Sequence, residues 1–193
     1  RVFSSEIGCD SEHDYGIFNF ESDNIKVHYG NYDCTSEAGI KSHYTKGGEY
    51  NFLSLYDNER GIVFYSSSDN NNQVSNNYVN STTISETDDV GLYFDNADNN
   101  TVYNSDFNDN KYAIKLNGNA NDNIIKEVDF SNSDSYDIYS GGSSWNNILI
   151  DTEFDDLYID SSSRLLVKSL IETTIQDNGT YAWNRVNKTL DSD

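Results

Sequence analysis

Proline and methionine are absent from this sequence of 193 residues, which contains only two Cys and three His. With so few sulfur and imidazole ligands, no copper-handling site is expected. Basic residues are also scarce, because 12 Lys and Arg stand against 33 Asp and Glu and give a net charge of −21. Such a charge opposes binding to nucleic acid or anionic lipid, so neither is a predicted partner. It serves either solubility or the binding of cations.

Long apolar runs are missing as well, so we expect no insertion into a membrane. Apolar residues make up 35% of the chain and its mean hydropathy is −0.74, which is low for a compact globule. Aromatic residues nevertheless reach 13%, with 15 Tyr and 9 Phe, whereas a disordered acidic chain would lack them. The sequence therefore predicts one domain built around a thin, repetitive core.

A repeat runs through most of the chain and is clearest in GLYFDNADNNTVYNSDF, residues 91–107. It consists of a Gly before two apolar residues, an Asn two positions before a β-branched residue, and an apolar residue five positions further on. Its starts are separated by 23, 22, 30, 22, 24, 19 and 23 residues, a period typical of a solenoid. The apolar pairs spaced by five are Val2/Ile7, Val27/Tyr32, Tyr50/Leu55, Val74/Val79, Val102/Phe107, Ile125/Phe130, Leu149/Phe154 and Leu166/Ile171.

This repeat predicts an all-β fold, a right-handed parallel β-helix of about eight coils, each with roughly 22 residues and three short strands. The β-helix would span residues 1–186, begin in mid-coil and leave a polar tail at 187–193. The interval of 30 predicts an extra loop over 81–90. A β-propeller is the alternative, but it needs four strands per repeat. A corner ladder of hydrogen-bonded side chains is expected from Asn72, Asn100, Asn123 and Asn147.

The repeats resemble those of the pectate-lyase-like parallel β-helices. Within that group they look like the Asn-rich repeats of the nitrous-oxide-reductase accessory protein and of carbohydrate-binding or sugar-hydrolysing domains. The likeness rests on GIVF (61–64) leading to NQVSNN (72–77), and on GLYF (91–94) leading to NNTV (99–102). It covers nearly the whole chain. The resemblance implies the fold and leaves the activity open, because such repeats occur in enzymes, adhesins and viral spikes alike.

The two cysteines occupy equivalent places in consecutive repeats, IGCDSE and YDCTSE. Stacked coils lie about 4.8 Å apart, which is close enough for a disulfide between Cys9 and Cys34. That bond would place the protein in an oxidising compartment, and two buried thiols are the alternative. Four Asn-x-Ser/Thr acceptors also suit an extracellular or cell-surface protein, namely Asn80, Asn99, Asn178 and Asn187.

One outward-facing column of the first strand is rich in aromatic rings and contains a few cations. Its candidate ligand-binding residues are Tyr93, Lys115, Tyr139 and Tyr158. Aromatic rings stack on the apolar faces of sugars, so the column is a candidate strip for binding a glycan or a cell-surface polymer. The alternative is that the rings pack across coils and only stabilise the sheet.

Apolar residues dominate the outward positions of the second strand near the end of the chain. They are predicted to lie on adjacent coils and to avoid water, and they are Ile124, Ile148, Ile150, Leu165 and Val167. Either the C-terminal tail covers them or they form an interface with another chain. The interface is favoured, because the tail is short and polar.

Acidic residues line an outward column of the third strand, at Asp106, Asp129 and Glu153. In an enzyme these would be the catalytic acids of a polysaccharide hydrolase or lyase. Asp129, Glu153 and the neighbouring Asp155 would also suit calcium, although no cofactor is required. A solvated acidic stripe is the simplest alternative. No Ser-His-Asp grouping or phosphate-binding loop is present.

We therefore expect a secreted or cell-surface β-helix without catalytic activity, which serves glycan or surface adhesion or assembles with copies of itself. A polysaccharide hydrolase or lyase is the alternative function. Enzymes with this fold are expected to have deeper, loop-walled grooves than one extra loop provides.

Overall fold

The computed structural model describes residues 2–3, 6–7, 13–67, 74–168, 174–177 and 180–183, with the four short segments described as backbone only. All regular elements in these ranges are β-strands, so no helix there could cross a membrane. The strands in chain order are β1 (Val2–Phe3), β2 (Glu6–Ile7), β3 (His13–Phe20), β4 (Lys26–His28), β5 (Asn31–Asp33), β6 (Thr35–His43), β7 (Glu49–Asn51), β8 (Ser54–Tyr56), β9 (Arg60–Tyr65), β10 (Val74–Ser75), β11 (Tyr78–Asn80), β12 (Thr83–Ser85), β13 (Val90–Asp95), β14 (Ala97–Asp98), β15 (Thr101–Tyr103), β16 (Asp106–Asn108), β17 (Tyr112–Asn117), β18 (Ile124–Lys126), β19 (Asp129–Ser131), β20 (Tyr136–Ser140), β21 (Asn147–Ile150), β22 (Asp156–Ile159), β23 (Arg164–Lys168), β24 (Thr174–Asp177) and β25 (Thr180–Trp183).

Three parallel sheets form the walls of a right-handed β-helix, as the repeat predicted. Sheet A has nine strands in the order β1-β4-β7-β11-β15-β18-β21-β23-β25, and sheet B has six in the order β2-β5-β8-β12-β16-β19. Sheet C has eight strands in the order β3-β6-β9-β13-β17-β20-β22-β24, and β10 pairs with β14 in a small fourth sheet. The chain passes from sheet A to B to C in each coil up to β20.

The β-helix has about six coils with all three strands, and the expected eight was wrong. After β19 the described chain adds no strand to sheet B and passes from β21 directly to β22. The turn between those strands is short, and the Asp137 carboxylate accepts hydrogen bonds from the backbone N–H groups of Asp155 (2.7 Å) and Asp156 (3.2 Å). These N–H groups are thus satisfied by a side chain of the preceding coil instead of by a strand.

The core is formed by the inward residues of successive coils, which lie directly above one another. In sheet C, Ile40, Ile62, Leu92, Ile114 and Ile138 are paired in register and fully buried. Strand alternation sends every second side chain inward, so a narrow coil buries only a few residues per strand. This explains how a chain of low hydropathy maintains a continuous core.

The long coil contains its extra residues at a different place from the predicted 81–90 loop. Val79 pairs with Tyr50 and Val102, and Ile84 pairs with Leu55 and Phe107, so the inward pair of this coil is Val79/Ile84. Val74 belongs to the small fourth sheet instead. The added length falls between β9 and β10, and residues 83–85 form strand β12. The error arose because Val74/Val79 also satisfies the five-residue spacing.

A ladder of buried Asn side chains runs along the corner that precedes sheet A. Its members are Asn77, Asn100, Asn123 and Asn147, each at most 1% exposed. Each of the first three donates from its backbone N–H and its Nδ2 to the Oδ1 of the next, at 2.9–3.0 Å. Asn77 therefore takes the place predicted for Asn72, which lies outside the described residues. The shift follows directly from the corrected register of the long coil.

Asp98 is a buried carboxylate whose ionisation should destabilise the fold. Burial is the largest influence on its pKa and raises it above the ordinary value of 3.8, while the N–H of Asn121, at 2.8 Å from Oδ1, opposes the shift. Because the folded state holds this proton up to a higher pH, its contribution to stability falls as the pH rises from 3.8 through the raised pKa.

We expect Asp98→Asn to raise the melting temperature at pH 7 by a few degrees, or roughly 1 kcal/mol for a chain of this size. The substitution retains the acceptor for Asn121 and removes only the charge. The gain should shrink as the pH falls through the raised pKa toward 3.8, because the wild-type carboxylate then takes up its proton. Thermal melts of both proteins across this range provide the measurement. A gain that is independent of pH would contradict the assignment.

Candidate functional site

Five tyrosines and one lysine lie together on the outer surface of sheet C, and we call them the tyrosine face. All six are half-buried and they come from four adjacent strands, β13, β17, β20 and β22. The pairing of the sheet aligns one column directly, because Tyr93 pairs with Lys115, Lys115 with Tyr139, and Tyr139 with Tyr158. The members of the face are Tyr93, Tyr112, Lys115, Tyr136, Tyr139 and Tyr158.

The rings of the tyrosine face contact one another across the coils. Tyr139 and Tyr158 are stacked with centroids 4.9 Å apart and planes 11° apart, and Tyr112 and Tyr136 are stacked at 6.2 Å. Tyr136 also lies 5.4 Å from Tyr158, which joins the two pairs. The face is therefore a continuous aromatic surface along the axis of the β-helix.

Lys115 lies in the middle of this surface and is surrounded by rings. Its Nζ is 5.0 Å from the ring centroid of Tyr112, 5.3 Å from that of Tyr139 and 5.6 Å from that of Tyr93. These are cation–π distances. Among the described residues no carboxylate lies within ion-pair distance of Lys115, whereas Lys26, Lys41 and Lys126 each have one. Its ammonium group is consequently neutralised less than theirs.

Two tyrosine hydroxyls of the face have raised pKa values, those of Tyr93 and Tyr139. Burial raises the pKa of Tyr93, although the Asn117 Nδ2 donates to its hydroxyl oxygen at 3.1 Å and opposes the shift. Burial is also the largest cause of the raised pKa of Tyr139, and the charges of Tyr158 and Asp160 add to it. Neutral hydroxyls can both donate and accept hydrogen bonds. The face therefore combines ring surfaces for stacking with hydroxyls for polar contacts.

All four residues predicted for ligand binding belong to the tyrosine face, whereas Tyr112 and Tyr136 were missed. Tyr112 and Tyr136 each stand one position before the first residue of a sequence repeat, Ala113 and Asp137 respectively. They are the first residues of strands β17 and β20. The predicted outward positions lie between the two inward residues of the strand or after them, whereas Tyr112 and Tyr136 precede both. The sequence signal for both residues is that a Tyr occupies the same place in two consecutive repeats, 24 residues apart.

The predicted acidic column lies on sheet B, and the fold makes neighbours of only two of its three residues. Asp106 and Asp129 are exposed neighbours on β16 and β19, so their backbones are about 4.8 Å apart. Glu153 is exposed and lies outside the strands. Among the described residues, no group of three His, Cys, Asp or Glu side chains is placed to hold a metal. Calcium binding by Asp129, Glu153 and Asp155 stays a prediction.

The predicted apolar interface needs a correction in its last strand. Ile148 pairs with Leu166 and Leu149 with Val167, so Leu165 and Val167 face the core and are 2% and 0% exposed. The inward pair assumed at Leu166/Ile171 was one residue out of step, which exchanged the two faces of the strand. The half-buried outward residues, which we call the apolar strip, are Ile124, Ile148, Ile150 and Leu166.

Several other predicted features fall partly or wholly outside the described residues. Cys9 lies outside the described residues, so the Cys9–Cys34 disulfide stays a prediction. The described part of the chain contains no free cysteine. Among the glycosylation candidates, Asn99 is exposed and Asn80 half-buried. Asn178 and Asn187 lie outside the described ranges, as does the predicted boundary of the tail at residue 187.

No protein-family model matches the chain, and no curated protein matches it. Among solved structures, it is similar to an alginate lyase from Paenibacillus sp. str. FPU-7. The TM-score is 0.61 and the sequence identity 13%, and the match covers 90% of this chain and 76% of the lyase. A likeness at this identity shows the fold alone. The resemblance to Asn-rich repeats is thereby supported as a parallel β-helix, while the specific repeat family stays a prediction.

Proposed function

We propose that the tyrosine face binds a polysaccharide and that the protein is an extracellular or cell-surface module without catalytic activity. The observation that carries this proposal is the continuous row of half-buried rings in contact on sheet C, from Tyr112 to Tyr158, which Lys115 extends to the ring of Tyr93. Core packing does not require these rings, because the buried residues beneath them are aliphatic or Phe side chains. The rings are instead available on their outer sides.

A polysaccharide suits the geometry of this surface. Coils repeat about every 4.8 Å along the axis, which is comparable to the length of one pyranose unit in an extended chain, so successive sugars could stack on successive rings. Lys115 and the tyrosine hydroxyls would donate hydrogen bonds to sugar oxygens. The similar alginate lyase acts on a polysaccharide, as its name states, which supports the ligand class. The proposed binding needs no cofactor.

The proposal predicts that the double variant Tyr139→Ala/Tyr158→Ala binds polysaccharide at least tenfold more weakly. Each aromatic contact is worth roughly 0.5–1.5 kcal/mol beyond its area, so two contribute about 1–3 kcal/mol, and the apolar area lost with both rings raises the total above the 1.4 kcal/mol of a tenfold change. The measurement is retardation in native gels that contain hydroxyethyl cellulose, xylan or alginate, one polymer per gel.

Tyr103→Ala is the matched control, because Tyr103 is also a half-buried tyrosine but lies on sheet A. Its ring centroid is 5.4 Å from the Nζ of Lys126, a cation–π contact like those of Lys115. The control should leave the retardation unchanged. Equal losses in the control and in the double variant would contradict a site on sheet C. Retardation of the wild type by none of the polymers would contradict the proposed function. Repeating the gels after chelation tests whether calcium contributes.

A polysaccharide lyase is the second candidate, and the similarity to an alginate lyase favours it. The lysine and the tyrosine hydroxyls of the tyrosine face are groups that can move protons. The acidic column offers a second route, since Asp106 and Asp129 are close enough for paired carboxylate chemistry. Ultraviolet absorbance of unsaturated products and a reducing-sugar assay test both. Turnover would overturn the non-catalytic proposal, and its loss in Lys115→Gln or Asp129→Ala would identify the face responsible.

Self-association is a further part of the proposal and concerns the apolar strip on sheet A. Its four aliphatic side chains lie on three adjacent strands, where water contact is unfavourable. Sedimentation equilibrium should show a dimer or larger assembly that dissociates in Ile148→Lys. A monomer at all concentrations would contradict this part and leave the polysaccharide site unaffected.

A further inference from the structure

Two aromatic side chains form an exposed stack at a corner of the β-helix far in sequence from the tyrosine face. The rings of Tyr29 and Phe52 are parallel within 4°, with centroids 5.0 Å apart. Tyr29 is 60% exposed and Phe52 48% exposed, so both present most of their outer surface to solvent. We call this pair the aromatic shelf. It lies between sheets A and B, at the corner that does not border sheet C.

The backbone of the corner disfavours aromatic residues. Tyr29 and Phe52 have φ angles of 58° and 56°, in the left-handed region where bulky side chains are outliers. The equivalent residues of the following coils are short or acidic and have the same positive φ, namely Ser81, Asn104, Glu127 and Asp151. The corner itself therefore requires no ring.

A second observation at the same corner also points to a ligand-binding site. Asn51, which precedes Phe52, is 8% exposed, and its side-chain Oδ1 has no hydrogen-bond partner among the described residues. Buried oxygens of this type normally accept a hydrogen bond. Asn51 lies on the outer face of β7, because its neighbour Tyr50 faces the core, and a ligand hydroxyl beside Phe52 would provide the donor once the Asn51 amide rotates toward it. The site thus combines a flat apolar surface with one unsatisfied polar group.

We propose that the aromatic shelf is a second carbohydrate site, which binds the flat face of a pyranose ring with equatorial hydroxyls. Such a ring presents C–H groups on its faces, which pack on aromatic rings, and hydroxyls at its edge, one of which would donate to Asn51. This goes beyond the proposed function, because the shelf and the tyrosine face lie on different sides of the coil. One molecule could then link two polysaccharide chains.

The test uses cellohexaose as the probe and follows the ring signals of Tyr29 and Phe52 by NMR. We expect these signals to shift in the wild type and the dissociation constant at this site to rise at least tenfold in Tyr29→Ser/Phe52→Ser. Serine occurs at the equivalent corner of the next coil, so the variant should melt at the same temperature as the wild type or higher. Ring signals that stay unchanged up to the solubility limit of cellohexaose would overturn the proposal. A melting temperature several degrees lower would assign the stack to packing and overturn it as well.

The variant Tyr139→Ala/Tyr158→Ala separates this proposal from the proposed function. It should retain the shifts of the Tyr29 and Phe52 signals while losing the contribution of the tyrosine face. Light scattering of hydroxyethyl cellulose mixtures should increase only with the wild type, because linking two chains requires both sites. Intact shelf signals without any binding by sheet C would contradict the proposed function alone.

Discussion

Replacing Asn123 with Ala should lower the free energy of unfolding by about 4 kcal/mol, because this side chain makes four hydrogen bonds in a fully buried corner. Its Oδ1 accepts from the backbone N–H and the Nδ2 of Asn100 at 2.9 and 3.0 Å. Its Nδ2 donates to the Ala97 carbonyl at 2.9 Å and to the Asn147 Oδ1 at 3.0 Å. Alanine would remove the partner of the Asn100 backbone N–H, the Asn100 Nδ2 and the Ala97 carbonyl in the preceding coil, whereas the Asn147 Oδ1 would keep the backbone N–H of residue 123.

Urea denaturation measures this loss, and Asn31→Ala is the matched control. Asn31 is an exposed asparagine on β5, so its replacement should change stability by less than about 0.5 kcal/mol. Asn123→Asp should also be strongly destabilising, since it removes both donated hydrogen bonds and buries a charge. A loss of less than about 1 kcal/mol for Asn123→Ala would show that the ladder is not a main source of stability.

Phe94→Ala should cost about 3–5 kcal/mol, the usual range for removing a fully buried aromatic side chain. Phe94 is 0% exposed, pairs with Phe64 and Leu116 on the adjacent strands, and lies 5.5 Å from the Phe64 ring. The coils are held at a fixed spacing by backbone hydrogen bonds on three sides. They cannot collapse around the missing ring, so most of the cavity should persist.

Phe130→Ala provides the comparison within the same core. Phe130 packs 5.8 Å from Phe107 but is only partly buried, in the last described strand of sheet B. Its replacement should cost roughly half as much, because less apolar surface leaves the core and solvent can fill the space. Equal losses for the two variants in denaturant unfolding would contradict the rigid-coil explanation.

Much of the fold could be predicted because inward-facing residues follow local rules. Strand alternation and the five-residue spacing predict that the pairs Val102/Phe107, Ile125/Phe130 and Leu149/Phe154 face the core. All six are fully or almost fully buried except Phe130, which is partly buried. The ladder members Asn100, Asn123 and Asn147 follow from their position two residues before each inward residue. These features depend on the chain within one coil, which the sequence encodes directly.

Register between coils was less predictable wherever two alignments satisfied the same local pattern. The five-residue rule admits both Val74/Val79 and Val79/Ile84, and only pairing with Tyr50 and Val102 selects the second. The same ambiguity reversed the faces of Leu165 and Val167. Hydrogen bonds to neighbouring strands resolve such alternatives, and they join residues more than 15 positions apart.

The sequence by itself determined the parallel β-helix, its thin core, three of the four ladder members and the aligned column of Tyr93, Lys115, Tyr139 and Tyr158. Each of these repeats once per coil, so the period alone aligns them. Only the tertiary structure decided the number of complete coils, the place of the extra residues, the membership of Tyr112 and Tyr136, and the stacking of Tyr29 on Phe52. Those features depend on which side chains of different coils become neighbours, and stacking of the coils sets that distance.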